Sequence, residues 1–217
     1  MIVWLNGSFG VGKTTTAAAL SARWPEAIVF DPESIGVGLR LWTPREAVVQ
    51  DFQDITLWRE LVVTTTSGLV AEWGRPLIVP MTVLRPAYFD EIIGRLRADG
   101  QQVYHFCLTA PADVLRARVE ERMRTSPEFS GMTSAEQRAA QSWVECRWSE
   151  YDAFDPQFAE HLDTMEGDAD AIAESVAARL PQPLPSRLPQ ARWSSWTDAG
   201  RSVMRYGNLA HHGRTLS

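Results

Sequence analysis

Lys13 is the only lysine in this chain; the other twenty of its 21 basic residues are arginine. It lies in Gly7-Ser8-Phe9-Gly10-Val11-Gly12-Lys13-Thr14, which fits G-x-x-x-x-G-K-[ST], the phosphate-binding P-loop. The residue types suit that chemistry. Glycines let the backbone turn tightly, so that successive N–H groups point inward at phosphate oxygens. The helix that follows, through Thr15, turns its positive dipole end towards the anion. Lys13 reaches the β- and γ-phosphates as a compact charge where a planar guanidinium would not fit, and the Thr14 hydroxyl is placed for Mg²⁺. ATP and Mg²⁺ are therefore the expected cofactors. The competing explanation is a glycine turn that matches by accident. Context weighs against it: Ile2-Val3-Trp4-Leu5 reads as a strand just before the loop, and Thr15-Thr16-Ala17-Ala18-Ala19-Leu20 as a helix start just after it.

Positioning such a loop takes a particular kind of scaffold. Apolar runs of strand length recur at Ile2–Leu5, Ala27–Phe30, Leu77–Pro80 and Val103–Leu108, with a short last strand at Leu162–Thr164. Helical patterns fall between them: Lys13–Trp24, Ser34–Leu41, Leu57–Trp73, Ala87–Ala98 with Gly100 beyond it, Ala112–Arg124, Ser134–Trp148 and Ala169–Leu180. The expectation is an α/β fold: a five-stranded parallel sheet with helices on both faces, a P-loop NTPase of the nucleoside- or shikimate-kinase-like type. Residues 1–180 form this domain, with a lid at about 116–147. A Pro-rich break at Pro181-Gln182-Pro183-Leu184-Pro185 separates it from a basic, amphipathic tail that runs to 217.

In such a sheet, ligands sit at the C-terminal ends of the strands. After the second strand come Asp31 and Glu33. Asp31 could take the proton of an attacking hydroxyl or bind Mg²⁺ through water, or it could simply cap the next helix. Glu33 is a weaker candidate for the substrate side. After the third strand no acid stands in Pro80-Met81-Thr82-Val83-Leu84, and Arg85 could clamp a substrate or lie on the surface. Arg118 and Arg122, four apart on one helix, could close over a transferring phosphoryl group and its nucleotide. Glu120 and Glu121 between them fit a solvated charged face equally well. Gln53 and Arg59 lie where nucleoside-monophosphate-kinase-like architectures hold the phosphate acceptor. Phe52 and Trp58 beside them fit core packing as well.

A formal net charge of −6 argues against a nucleic-acid partner. The segment from Ser186 onward runs against this balance, with five arginines to one acid and the apolar Trp193, Trp196, Val203 and Met204. That segment could contact an anionic membrane surface or dock on the acidic body. Cys107 and Cys146 form neither a disulfide framework nor a zinc spacing. With no signal peptide or bilayer-length apolar run in view, the expected compartment is the cytoplasm.

Several stretches together resemble the tunicamycin-resistance ATP-binding proteins: Trp4 through Thr14, Phe30-Asp31-Pro32-Glu33, Asp51-Phe52-Gln53 with Leu57-Trp58-Arg59, Ile78-Val79-Pro80-Met81-Thr82, and Phe89 through Arg97. The likeness covers roughly residues 1–180. It implies ATP binding, a fold like that of small-molecule kinases, and a role in resistance to a nucleoside-type antibiotic. By that resemblance Gly12, Lys13 and Thr14 would hold phosphates and Mg²⁺, and Asp31 would be the acceptor-side carboxylate. Arg118 and Arg122 would begin a kinase lid of the form L-x-x-R-x-x-x-R from Leu115. Shikimate kinases carry D-x-D where this chain has Asp31-Pro32-Glu33, so their acceptor binding does not transfer. Three functions stay open, the first two being a phosphotransferase acting on a hydroxyl of a small-molecule acceptor, and a protein that uses ATP to sequester the antibiotic without modifying it. A nucleotide-regulated partner-binding protein is a third.

Overall fold

Every residue of the first strand, β1 (Ile2–Gly7), is buried. A strand apolar on both sides needs cover on both faces, which is how parallel sheets are packed. A computed structural model describes residues 1–47, 49, 51–83, 85–126, 133, 159–165 and 167–181. In it β1 pairs in parallel with β3 (Leu77–Pro80) on one side and β4 (Val103–Thr109) on the other. The edges are β2 (Ile28–Val29) and β5 (Glu160–Asp163), giving the order β2-β3-β1-β4-β5. The β1 connection leaves to one side of the sheet and the β4 connection to the other. The crevice where a ligand belongs therefore opens at the C-terminal end of β1.

Alternation along the strands sorts the core into two layers. On one face Val3, Leu5, Ile78, Phe106 and Leu108 pack with Ala17 and Leu20 of α1 (Lys13–Arg23), Leu115 and Val119 of α6 (Ala112–Thr125), and Ile172 and Val176 of α7 (Ala169–Ala178). On the other, Ile2, Trp4, Leu77, Val79 and Cys107 meet Leu39 of α2 (Glu33–Trp42) and Trp58 and Val62 of α3 (Thr56–Trp73). The same layer takes in Ile92, Ile93 and Leu96. Arg23 of α1 bonds Asp170 of α7 at 2.6 Å, joining the two helices beside β5.

The parallel five-stranded sheet matches the expectation from sequence, and the differences are local. β2 has two residues in its ladder rather than four, although Phe30 N–H still reaches Ile78 O at 3.0 Å. The 86–98 stretch is not one regular helix. It runs as α4 (Pro86–Phe89), a π-turn (Asp90–Gly94) and α5 (Arg95–Ala98). The wider turn lets the adjacent Ile92 and Ile93 both face the core. β5 begins earlier than its apolar residues indicate, because as an edge strand it buries only Leu162. The Ser134–Trp148 helix, most of the 116–147 lid and the tail beyond Pro181 lie outside the described residues, as does Cys146.

Trp58 Nε1–H donates to Pro32 O at 3.1 Å, and its ring lies 5.0 Å from that of Phe52. α3 thus holds the turn after β2, where Asp31 stands. Phe52 in turn fills the space above Gly36 of α2, where an added Cβ would come within 2.7 Å of the ring. Gly68 in α3 faces open space. Two glycine-to-alanine changes in helix interiors should therefore act in opposite directions. Gly68→Ala is expected to raise unfolding stability by about 0.5–1 kcal/mol. Gly36→Ala should lower it by about 1–3 kcal/mol, because Phe52 and then Trp58 must shift. Urea unfolding of both variants, read as the change in midpoint, checks this; equal effects would mean that Phe52 does not press on α2.

Candidate functional site

Gly7 ends β1 with φ at +131°. A Cβ there would lie 2.5 Å from Leu108 O on the neighbouring strand, so only glycine fits. Gly12, at φ +103°, caps α1 in a left-handed conformation that side chains rarely adopt. Between them Val11 is buried and anchors the loop in the core beneath α1, and Phe9 packs against the same cluster. Among the described residues, no acceptor meets the N–H groups of Phe9, Gly10, Gly12, Lys13, Thr14 or Thr15. Those from Lys13 to Thr15 are first-turn donors with no partner inside the helix. Thr14 and Thr15 are exposed on that turn. The buried hydroxyl of Ser8 also lacks a partner. Unsatisfied N–H groups at a helix N-terminus with an ammonium beside them are a cradle for an anion, and the residues present fit a nucleotide's phosphates.

That ammonium belongs to Lys13, which folds back and donates to Gly7 O at 3.0 Å and Ser8 O at 2.9 Å. Burial pulls its pKa down to about 8, against the attraction of Glu33 and Asp31. The Arg122 charge pushes it the same way as burial, so the second cation also converges on the loop. The Arg122 guanidinium stands 5.1 Å from the Phe9 ring centre.

Asp31 follows β2, and its Oδ1 accepts the Glu33 N–H at 2.9 Å while its carbonyl accepts the Ser34 hydroxyl at 2.6 Å. The carboxylate thus accepts the N–H of the first residue of α2, from one position before the Pro32 that caps the helix. The same carboxyl also sits within charge range of Lys13. Desolvation, reinforced by the Glu33 charge, pushes its pKa up to about 7. A carboxyl that titrates near neutrality beside a phosphate cradle is suited to taking a proton. Glu33 itself is exposed. The Thr14 hydroxyl and the Asp31 carboxylate are hard oxygen donors of the kind Mg²⁺ uses beside phosphate.

Three of the remaining candidates form a separate cluster. Arg59 is buried, and its Nε donates to Glu91 Oε2 at 2.5 Å, NH1 to Gln53 O at 2.5 Å and NH2 to Thr56 Oγ1 at 3.2 Å. Its guanidinium also lies 4.3 Å from the Tyr88 ring centre. It braces the 51–56 segment against the π-turn, and Gln53 contributes its backbone to that brace. Arg85 NH1 donates to Asp54 Oδ1 at 2.5 Å and to Tyr88 OH at 3.1 Å, at the surface of the same cluster. Arg118 faces a different way, donating to Thr164 Oγ1 at 3.0 Å and Thr164 O at 3.4 Å beyond the end of β5. The loop, Lys13, Asp31, Glu33 and Arg122 therefore come together, while Gln53, Arg59 and Arg85 group around Tyr88 and Glu91, and Arg118 bonds Thr164 beyond β5.

Sequence reasoning missed the floor of the site. Asn6 is completely buried at the end of β1. Its Oδ1 accepts the N–H groups of Gly7 and Val83, each at 2.8 Å. Its Nδ2 donates to Val83 O at 2.7 Å and meets His105 Nε2 at 3.1 Å. Thr82 Oγ1–H donates to Gly7 O at 2.8 Å, and Trp4 Nε1–H to Met81 O at 2.9 Å. The segment after β3 lacks an acid but is tied to the phosphate loop through these bonds. The available signal was Asn6 and His105 themselves, polar residues placed inside otherwise apolar strands.

The chain matches a family model described as an AAA domain over residues 2–146. Among curated proteins no match was found. A Deinococcus radiodurans tunicamycin resistance protein is 30% identical, with a TM-score of 0.65 over 85% of this chain and 98% of its own. A sugar kinase from Janibacter sp. is 19% identical, with a TM-score of 0.57 over 82% of this chain and 92% of its own. The Mycobacterium tuberculosis APS kinase, in complex with AMPPNP and APS, is 18% identical, with a TM-score of 0.53 over 81% and 94%. At these identities the two kinases share the fold alone, and no helix among the described residues is long and apolar enough to cross a membrane. By the domain match and the Deinococcus relative, the chain belongs to the AAA-domain P-loop proteins and, among them, to the tunicamycin-resistance family.

Proposed function

We propose that this protein is an ATP- and Mg²⁺-dependent phosphotransferase acting on a hydroxyl of a small molecule, and that its acceptor is a nucleoside-type antibiotic such as tunicamycin. The observation that supports it most directly is the meeting of Lys13 with Asp31, a phosphate-binding cation within charge range of a carboxyl held near neutral pKa. The loop amides and Lys13 hold the β- and γ-phosphates. When bound, Mg²⁺ would sit by the Thr14 hydroxyl, reaching Asp31 only through water, and would neutralise phosphate charge. Asp31 takes the proton from the acceptor hydroxyl as that oxygen bonds to the γ-phosphorus. The bond from phosphorus to the β–γ bridging oxygen breaks, and ADP leaves with that electron pair. Arg122 stabilises the charge spread over the transferring group, and Arg118 keeps the β5 side of the nucleotide site closed. The reaction draws on the ATP and Mg²⁺ of the cytoplasm.

Incubation with ATP, Mg²⁺ and tunicamycin, read by mass spectrometry, should give ADP and a drug heavier by one phosphoryl group. Unmodified drug retained on the protein only when ATP is present would favour sequestration instead.

Lys13→Ala should abolish ATP binding in calorimetric titration while the circular dichroism spectrum stays native, since Lys13 makes only two loop-carbonyl bonds. Full ATP affinity in this variant would defeat the phosphate-loop assignment.

Asp31→Asn keeps an oxygen for the Glu33 N–H, so ATP affinity should change little while turnover drops by roughly a hundredfold or more. Stability gives a second readout. An acid whose pKa rises from 3.8 unfolded to about 7 folded makes the native state bind the extra proton, so stability falls as pH rises through that window. Asp31→Asn removes this loss. Its melting temperature should exceed that of the wild type above pH 7, and the gain should fade towards pH 4. A difference independent of pH would leave Asp31 as a cap only.

A further inference from the structure

All four hydrogen-bonding positions of the Asn6 amide are occupied: the oxygen takes two N–H groups, and the nitrogen gives to a carbonyl and to a ring nitrogen. This pattern fixes the orientation of the amide, because a flipped side chain would set Nδ2 against the N–H groups of Gly7 and Val83. It also fixes His105. Nδ2 is a donor, so Nε2 must accept, and the ring carries its proton on Nδ1. His105 is itself buried, its ring centre 5.3 Å from that of Phe89. The two backbone segments that Asn6 grips leave the ends of neighbouring strands, β1 and β3. Gly7 opens the phosphate loop, and its carbonyl receives Lys13 Nζ. Val83 belongs to the segment after β3 that leads to Arg85, where the guanidinium bonds Asp54 and Tyr88.

We propose that Asn6 is a positioning residue for nucleotide binding, fixing the Gly7 peptide to the Val83 segment so that the loop presents its amides and Lys13 in the binding geometry, with His105 holding the Asn6 amide in register. This rests on the phosphate-loop reading above. A polar network that served only to fill the core would affect stability and leave the affinity of the folded protein unchanged. A positioning network ties affinity to the amide itself. Removing the His105 acceptor strands a buried donor on Asn6 Nδ2, and the amide relaxes to recover a partner. The Gly7 N–H then loses its fixed acceptor, and Lys13 its fixed resting point. Glutamine at 105 supplies an amide oxygen in the acceptor's place, whereas phenylalanine supplies ring volume alone.

The test uses full-length wild type, Asn6→Ala, His105→Phe and His105→Gln. ATP with Mg²⁺ is titrated by calorimetry well below each melting temperature, and amide exchange at Gly7 and Val83 is followed by NMR without nucleotide. His105→Phe should lose roughly tenfold in ATP affinity, the scale of one stranded buried hydrogen bond, and His105→Gln should recover to within about threefold of wild type. In Asn6→Ala the Gly7 and Val83 amides should lose protection together. If that variant does not fold, His105→Phe should show the same paired loss more weakly. Wild-type ATP affinity in His105→Phe, or an equal loss in His105→Phe and His105→Gln, would overturn the positioning role. Protection lost at only one of the two amides would overturn the clamp. A wild-type protein that does not bind ATP would instead bring down the phosphate-loop reading itself, an outcome seen in the first titration and independent of the variants.

Discussion

One residue, Gly7, carries the geometry on which the rest of the site depends. The Gly7 N–H is held by Asn6 Oδ1, and the Gly7 carbonyl takes Thr82 Oγ1–H at 2.8 Å and Lys13 Nζ at 3.0 Å. A strand that ends in such a unit cannot slide or twist without breaking several buried bonds, each costly to leave unmade. The unit also admits no side chain, since Leu108 O lies where a Cβ would stand. The loop therefore starts from a fixed point, and Gly12 sets its other end where α1 begins. An anion site made of backbone N–H groups needs this rigidity. Its donors must already point inward before the phosphate arrives, or ordering them would use up the binding energy.

The electrostatics of the crevice come from the same crowding. Lys13, Arg122, Asp31 and Glu33 share a small volume, so each charge is felt by the others. Burial draws the Lys13 and Asp31 pKa values towards each other, the lysine down to about 8 and the aspartate up to about 7. Bound phosphates would add negative charge beside both, raising the proton affinity of each. The cluster around Arg59 is built differently. There Glu91, Gln53 and Thr56 all accept from Arg59, and the guanidinium acts as a brace between α3, the π-turn and the 53–56 segment.

The layout of the fold was legible because its signals are local. Four strands announce themselves as apolar runs, and the Gly-rich loop lies between a strand and an Ala-rich helix. Asp31 could be placed for the same reason, as the first polar residue after the second run. What stayed hidden depends on partners far along the chain. Asn6 finds Val83 and His105 at separations of 77 and 99 residues, and Arg59 finds Glu91 32 residues away. No spacing rule within a helix or strand reveals such pairs. The short β2 and the polar edge strand β5 were blurred for a related reason: an edge strand buries less, so less apolar pattern is written into it.

The division between one lysine and twenty arginines follows from these two kinds of site. At Arg59 a planar fork serves a carboxylate, a carbonyl and a hydroxyl at once. At position 13 the requirement is the reverse. The ammonium must fold back onto two carbonyls at the head of a tight loop and still be able to swing to an incoming phosphate. The fixed fork of a guanidinium could not satisfy both arrangements. A compact group on a flexible stem can exchange carbonyl oxygens for phosphate oxygens at little reorganisation cost, because both are acceptors at similar range. On that argument the lone lysine is retained for its mobility and size, while at Arg59 a guanidinium serves because the geometry there stays fixed.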